Sequence, residues 1–309
     1  MITTLAGGVG AAKFLQGLIK VVPPSKTTVI VNTGDDIDFH GLHVSPDLDI
    51  IMYTLAGVVD EEKGWGIKND TFNCLKMLEQ YGQETWFHLG DRDLATSIRR
   101  TYLLRMGFSL SQASDSLRKS FNLEENLLPM TDSEFRTYIL TDFGRIHFEE
   151  YLIKRQAKGK VLGVDFEGAD KAIPAKGVLE AIEESDGIII SPSNPIVSIG
   201  TILSVKGIRN ALRQTKATIV GVSPIVGGAT IKGPADKLMR GLGLDVSAYG
   251  VVLLYKDFLD GFVIDALDES LQERIEGLGL RVSVTNTIMK SLDDKTRLAK
   301  TVLDLIEKR

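Results

Sequence analysis

The chain has 309 residues, of which 43% are apolar, 25% charged and 7% aromatic. That is the profile of an ordinary globular protein with one large core, or a core plus an insertion. Thirty-six Lys and Arg against 41 Asp and Glu give a net charge of −5, which argues against nucleic-acid binding and attachment to anionic membranes. The single cysteine, Cys74, excludes an internal disulfide framework and a cysteine-based zinc site.

Ile2–Ala6 reads as a first strand, followed by Gly7-Gly8-Val9-Gly10 and a helix through Phe14, Leu15, Leu18 and Ile19. With no basic segment before that strand and Lys13 soon after, the start makes a poor signal peptide. Thr27–Val31 is a second strand, ending in Asn32-Thr33-Gly34-Asp35-Asp36, and a helix is expected around Ile50–Leu55 after a capping Asp47. The apolar stretch Leu48–Val59 is too short to span a membrane and contains Gly57. The chain therefore reads as cytoplasmic.

From about 61 to 175 the rhythm changes. Asp70 looks like the cap of a helix carrying Phe72, Leu75 and Leu78 and stopped by Gly82, and Ser109 like the cap of another with Leu110, Ala113 and Leu117 on one face. Arg136–Leu140 and Ile146–Leu152 suggest a hairpin. Beyond it, Gly187–Ile190, Thr218–Val222 and Gly250–Tyr255 read as further short apolar strands, and Ser291 to about Lys308 as a closing helix. Continuous apolar strands alternating with glycine loops and helices imply right-handed βαβ units and a parallel sheet covered on both faces. The expected fold is α/β: a Rossmann-like, doubly wound, mostly parallel sheet. Residues 1–60 and 176–309 form its nucleotide-binding core, and a mainly helical insertion, 61–175, covers the active site.

Ligands of such sheets bind at the carboxyl ends of the strands, where the glycine loops and acids fall. Gly7-Gly8-Val9-Gly10 offers backbone amides and a helix N-terminus to a phosphate. It lacks the P-loop spacing, and Lys13 stands where a dinucleotide fingerprint has its third glycine; a merely tight turn is the alternative. Asn32 to Asp49 packs five carboxylates and two imidazoles into 18 positions. Such crowding is unfavourable unless solvated or neutralised by a cation, and oxygen ligands on a loop suit Mg²⁺. The alternatives are a solvated acidic loop or one acid gripping a ribose hydroxyl, as in NAD-dependent oxidoreductases.

Trp86-Phe87-His88-Leu89-Gly90-Asp91-Arg92-Asp93-Leu94-Ala95-Thr96 combines an aromatic pair with a polar run. It could hold a flat ring and hydrogen-bond its edges, or be an anchored turn before a helix starting near Asp93. Ser191-Pro192-Ser193-Asn194-Pro195 and Gly227-Gly228, the latter before Lys232-Gly233-Pro234, could together hold a nucleotide. Cys74 and His147 are expected to be structural.

Taken together, Gly7–Lys13, Asn32–Asp36, His40-Gly41-Leu42, Pro46–Asp49, Gly64-Trp65-Gly66 and Leu89–Asp93 resemble the 2-phospho-L-lactate transferases of deazaflavin coenzyme biosynthesis. The later Ser191–Pro195 and Gly227-Gly228 segments fit as well. The resemblance implies transfer of the 2-phospho-L-lactyl group from lactyl-2-diphospho-5′-guanosine to the deazaflavin alcohol Fo, releasing GMP. It also implies Mg²⁺ and a homodimer, and likeness to archaeal members favours the lactyl donor, though a phosphoenolpyruvyl donor stays open.

On this reading Mg²⁺ is held by some of Asp35, Asp36, Asp47 and Asp49, with Asp35, Asp36 and Asp47 as the metal set. Asp49 and Asp36 are the catalytic carboxylates, with Asp49 as the favoured base. Fo meets Asp49, His88, Asp91, Arg92 and Thr96, and the guanosine diphosphate part meets Gly8, Gly10, Lys13, Ser191, Asn194 and Gly228. An NAD-dependent oxidoreductase and a non-catalytic regulator that binds nucleotide sugars are the rival readings.

Overall fold

The computed structural model describes residues 1–308. Seven strands form one parallel sheet: Ile2–Ala6, Thr27–Val31, Asn126–Pro129, Gly187–Ile190, Thr218–Val222, Gly261–Asp265 and Arg281–Thr285. Numbered in chain order they lie 3-2-1-4-5-6-7, the doubly wound order extended by one strand. Side chains alternate across a strand, and the apolar runs feed two cores. Leu5, Ile30, Leu128, Ile188, Ile190, Ile219, Phe262 and Ile264 face one cluster. Ala6, Val29, Val31, Leu127, Ile189, Val220, Val222 and Val263 face the other. This is why the strands are continuously apolar.

The second cluster lies under helices Gly8–Leu18, Pro46–Leu55 and Leu292–Glu307. The first lies under the shorter helices of the second half, among them Val178–Glu183, Ile208–Gln214 and Ala248–Tyr255. The last of these corrects the reading of Gly250–Tyr255 as a strand. Its eight residues are apolar almost throughout, which period alone cannot assign. Ser247 decides it by accepting a hydrogen bond from Gly250 N at 3.0 Å and capping the helix.

Residues 61–175 supply the sheet's edge strand, Asn126–Pro129, and helices Asn73–Gln80, Asp91–Arg105 and Leu110–Ser120. Ser109 caps the third helix in a capping box, as expected. The expected hairpin is Arg136–Thr141 with Gly144–His147, joined by a third antiparallel strand, Val161–Glu167. The expected run Ile146–Leu152 leaves the strand at His147 and enters a π-helical turn, Glu150–Lys154, a feature frequent at functional sites.

The order reverses between the first and fourth strands, and there the loops Gly7–Gly10 and Ser191–Asn194 meet. Gly7 N donates to Ser193 Oγ at 3.1 Å, and Ser193 Oγ donates back to Gly7 O at 2.7 Å. A Cβ on Gly10 would run into the Pro192 carbonyl, so a glycine is needed for the loops to pack this closely.

Candidate active site

At this reversal point lies a cavity of about 990 Å³, large enough for two drug-sized ligands side by side or one extended one. Gly7–Gly10 and Lys13 line it, with Asp35, Asp47 and Asp49 from the second strand's loop and the helix after it. Asn194 closes the far side, and Trp65, Trp86, Phe87 and His88 form an aromatic wall. Asp93, Glu149, Lys232 and Lys290 complete the charged lining.

Asp47 ties two loops together. Its Oδ1 accepts from Gly8 N at 2.8 Å and its Oδ2 from Asn32 Nδ2 at 2.9 Å, while Asn32 Oδ1 accepts from Gly34 N at 2.9 Å. It caps across to the glycine loop; Ser45, not Asp47, is the N-cap residue of its own helix. Asp35 is buried, and its Oδ1 has no hydrogen-bond partner. Asp36 accepts from Ser45 Oγ at 2.7 Å and meets His43 Nε2 at 2.8 Å, but its Oδ1 is also unpartnered. Asp36 lies behind the cavity wall rather than on it.

Burial and neighbouring charge push Asp35, Asp47 and Glu149 upward. Asp35 is driven well above the usual range by burial, then by Asp47, Glu149 and Asp36. Burial raises Asp47 to about 6 against the hydrogen bonds from Asn32 and Gly8. Glu149 reaches about 8 through burial, Asp47 and Asp36. Among the described residues no three His, Cys, Asp or Glu side chains converge in a chelating arrangement. The acids thus fit a Mg²⁺ bound by one or two carboxylates, with water or substrate oxygens completing its shell. Unpartnered oxygens on Asp35 and Asp36 are consistent with that need.

A pH dependence follows. Asp47, Asp93 and Glu149, at about 6, 7 and 8, hold protons in the folded state that the unfolded chain has already released. Folded pKa values above unfolded ones make stability fall as pH rises. Acids held low, such as Asp294 at about 2, are ionised in both states over this range and do not oppose it. Denaturant melts without divalent cation should lose stability from about pH 5.5 to about pH 8.5. Mg²⁺ should restore more of it at the upper pH. Equal or greater stability at the upper pH without cation would contradict the assignment.

Asp49 has a partner that sequence reading missed. Both guanidinium ends of Arg100 reach its two carboxylate oxygens, Nη1 at 3.1 Å, and the Arg100 side chain is 0% exposed. Burial raises the Asp49 pKa against the pull of Arg100. Arg100 and Asp93 sit on helix Asp91–Arg105, whose buried residues include the stripe Asp93, Thr96, Ser97, Arg100 beside Leu94, Thr101 and Leu103. That spacing normally carries apolar residues, so a polar stripe there was the available signal. Thr96 is buried beside Tyr53, behind the lining. Glu149 gave no comparable signal, whereas Lys232 stands in the Lys232-Gly233-Pro234 run already noted beside the Gly227-Gly228 loop.

Asp91 and Arg92 do not reach the cavity lining. Asp91 accepts from Thr71 Oγ1 at 2.5 Å, Cys74 N at 3.0 Å and Asn73 N at 3.2 Å, capping helix Asn73–Gln80. Asp70 accepts from Arg92 N at 2.9 Å and Asp93 N at 3.2 Å, capping helix Asp91–Arg105. Asp70 was expected to cap the helix that follows it; the two acids instead cap each other's helices. Arg92 Nη1 donates to Lys68 O at 3.3 Å. Ser191 is also a structural tie, donating to Leu5 O at 2.7 Å. Gly228 lies in the turn of the Ile225–Thr230 hairpin, at φ +77°, outside the lining.

A strand-order reversal carrying a glycine loop, buried acids and an aromatic wall defines an α/β enzyme of the doubly wound class. A family model described as "2-phospho-L-lactate transferase CofD" matches residues 2–300, and the chain belongs to that family of transferases. It is 43% identical to a 2-phospho-L-lactate transferase of Methanosarcina acetivorans, covering 98% of each chain. It is 44% identical to a phosphoenolpyruvate transferase of Kitasatospora aureofaciens, covering 99% of this chain and 98% of the relative. A crystal structure of a UPF0052-family protein from Bacillus halodurans superposes with a TM-score of 0.64 at 16% identity over 98% of both chains, and shares the fold. Among the described residues no helix is long and apolar enough to cross a membrane.

Proposed function

We propose that the protein transfers a phospholactyl-type group from a guanosine diphosphate-linked donor to the ribityl hydroxyl of Fo, releasing GMP. The observation that carries this reading is a single cavity lined both by a glycine loop with lysines and by an aromatic, acidic set. Of that lining, Gly8, Gly10, Lys13, Asn194 and Lys232 suit a diphosphate. Trp65, Trp86, Phe87 and His88 suit a flat tricyclic ring, and Asp49 and Asp93 line the same cavity.

Mg²⁺, held by Asp35 or Asp47 with support from Asp36, would neutralise charge on the transferring phosphate. The chain itself supplies positioning, which dominates phosphoryl chemistry. Lys13 and Lys232 hold the donor's charge. Asp49, fixed by Arg100, orients the attacking hydroxyl. The aromatic wall and Phe148, Glu149, Leu152 and Ile153, which also line the cavity, restrict water.

Near-equal identity to relatives named for two transferases favours neither the lactyl nor the phosphoenolpyruvyl donor; we retain the lactyl donor as the reading. Relatives in archaea and bacteria alike leave an archaeal origin without special support. The homodimer and a cytoplasmic location belong to the same proposal, and exposed Ile98, Tyr102, Met106 and Phe108 offer apolar surface for a second copy. The test is GMP release from each donor with Fo and Mg²⁺. GMP release from either donor that requires Fo supports the transfer, and release from the phosphoenolpyruvyl donor alone would reverse the donor choice. No release from either would reject it.

A further inference from the structure

Asp49 and Asp93 both line the cavity, in very different states. Asp49 shares both carboxylate oxygens with a guanidinium that has no exposure at all. A proton placed there would break the pair and strand a buried charge. Asp93 forms no ion pair among the described residues, and its carboxyl borders the cavity while the residue as a whole is 7% exposed. Tyr53 Oη, buried beside it, makes no hydrogen bond of good geometry. The loop Gly64-Trp65-Gly66 comes down over Asp93: a Cβ on Gly66, at φ +70°, would stand 3.3 Å from Asp93 Oδ2.

We propose that Asp93 is the proton acceptor of the transfer, taking the proton of the attacking hydroxyl while Asp49, locked to Arg100, only orients it. This rests on the transferase reading above. As the hydroxyl oxygen forms its bond to phosphorus, the bond from phosphorus to the nucleotide oxygen breaks and GMP leaves with that electron pair. The hydroxyl proton passes to the Asp93 carboxylate and then to solvent through the cavity mouth.

The charged and titratable groups facing Asp93 come from each element around it. Asp49 and Tyr53 come from helix Pro46–Leu55, Asp70 from the loop before helix Asn73–Gln80, and Arg100 from its own helix. Burial, then Asp49 and Asp70, raise Asp93, and Tyr53 and Arg100 lower it, for a net value of about 7. A base poised there is matched to neutral operation.

The test compares wild type, Asp93→Asn and Tyr53→Phe in single-turnover GMP release across pH, with Fo affinity read from its fluorescence. Wild type should show an acid limb near pH 7. Asp93→Asn should lose about 10²-fold or more in rate, with the acid limb abolished, and keep Fo affinity within about threefold. Tyr53→Phe removes a group that lowers Asp93, so its limb should move to higher pH. An Asp93→Asn enzyme within about fivefold of wild type, or a slow one with the same limb, overturns the proposal. If Asp93→Asn does not fold, an unmoved limb in Tyr53→Phe overturns it. Wild type without turnover on either donor rejects the transferase reading and this assignment together; wild-type turnover matched by Asp93→Asn rejects this assignment alone.

Discussion

Asp49→Asn is expected to destabilise the fold by about 3–5 kcal/mol, because it leaves Arg100 charged, buried and unpaired. The guanidinium has few other partners. Its Nη1 also reaches the His43 carbonyl at 3.4 Å, and its Nε has none. An asparagine supplies one acceptor oxygen and no charge, so it cannot replace the paired contact. The pair's net worth is smaller than the cost of breaking it, since both ions had to leave water. Asp49→Leu combined with Arg100→Met should therefore recover most of the stability lost in Asp49→Asn, while removing the group that orients the hydroxyl. Denaturant unfolding measures both. An Asp49→Asn protein within about 1 kcal/mol of wild type would show that Arg100 finds another partner or that the pair is open in solution.

Lys13→Ala and Lys232→Ala should each raise the KM for the nucleotide donor about 10- to 100-fold, the worth of one charge-assisted contact, and leave Fo affinity nearly unchanged. Neither ammonium group pairs with a carboxylate among the described residues. Burial, then Lys13, hold Lys232 below the usual lysine range, so two cations face each other across the cavity without a counter-ion of their own. A diphosphate between them relieves that repulsion. Lys232 Nζ also donates to Lys63 O at 3.4 Å, which brings the loop after the Ile225–Thr230 hairpin against the loop carrying Trp65. Because both cations serve one ligand, the double variant should lose less than the sum of the singles. A loss of Fo affinity with the donor KM unchanged would mean that the two lysines serve Fo rather than the nucleotide donor.

The sheet was legible in the sequence because its strands are short, continuously apolar and end in glycines and acids. The Thr27–Val31 run and the Asn32–Asp36 loop announce both a buried strand and a strand-end site. Gly250–Tyr255 was misread for the same reason that the others were read well: an apolar run of that length suits a buried helix as readily as a buried strand. Three strands went unread: Asn126–Pro129 and Arg281–Thr285 at the sheet's two edges, and the interior Gly261–Asp265, whose place in the reading was taken by Gly250–Tyr255. Within the site, clustered acids, the glycine loop and the aromatic pair were visible because each is dense in sequence. Arg100 and Glu149 stand outside those dense segments, on a helix and after a hairpin strand, and only the fold brings them to the site. Asp91 and Arg92 show the converse. Their charge suggested ligand contact, whereas Asp91 caps a neighbouring helix and the Arg92 backbone amide is capped by Asp70.

The most direct measurement is titration of Fo into the purified protein by its fluorescence, with and without GDP and Mg²⁺. One cavity built for two substrates predicts saturable Fo binding whose affinity shifts when GDP and Mg²⁺ occupy the same cavity. Fo that fails to bind under any of these conditions would contradict the account.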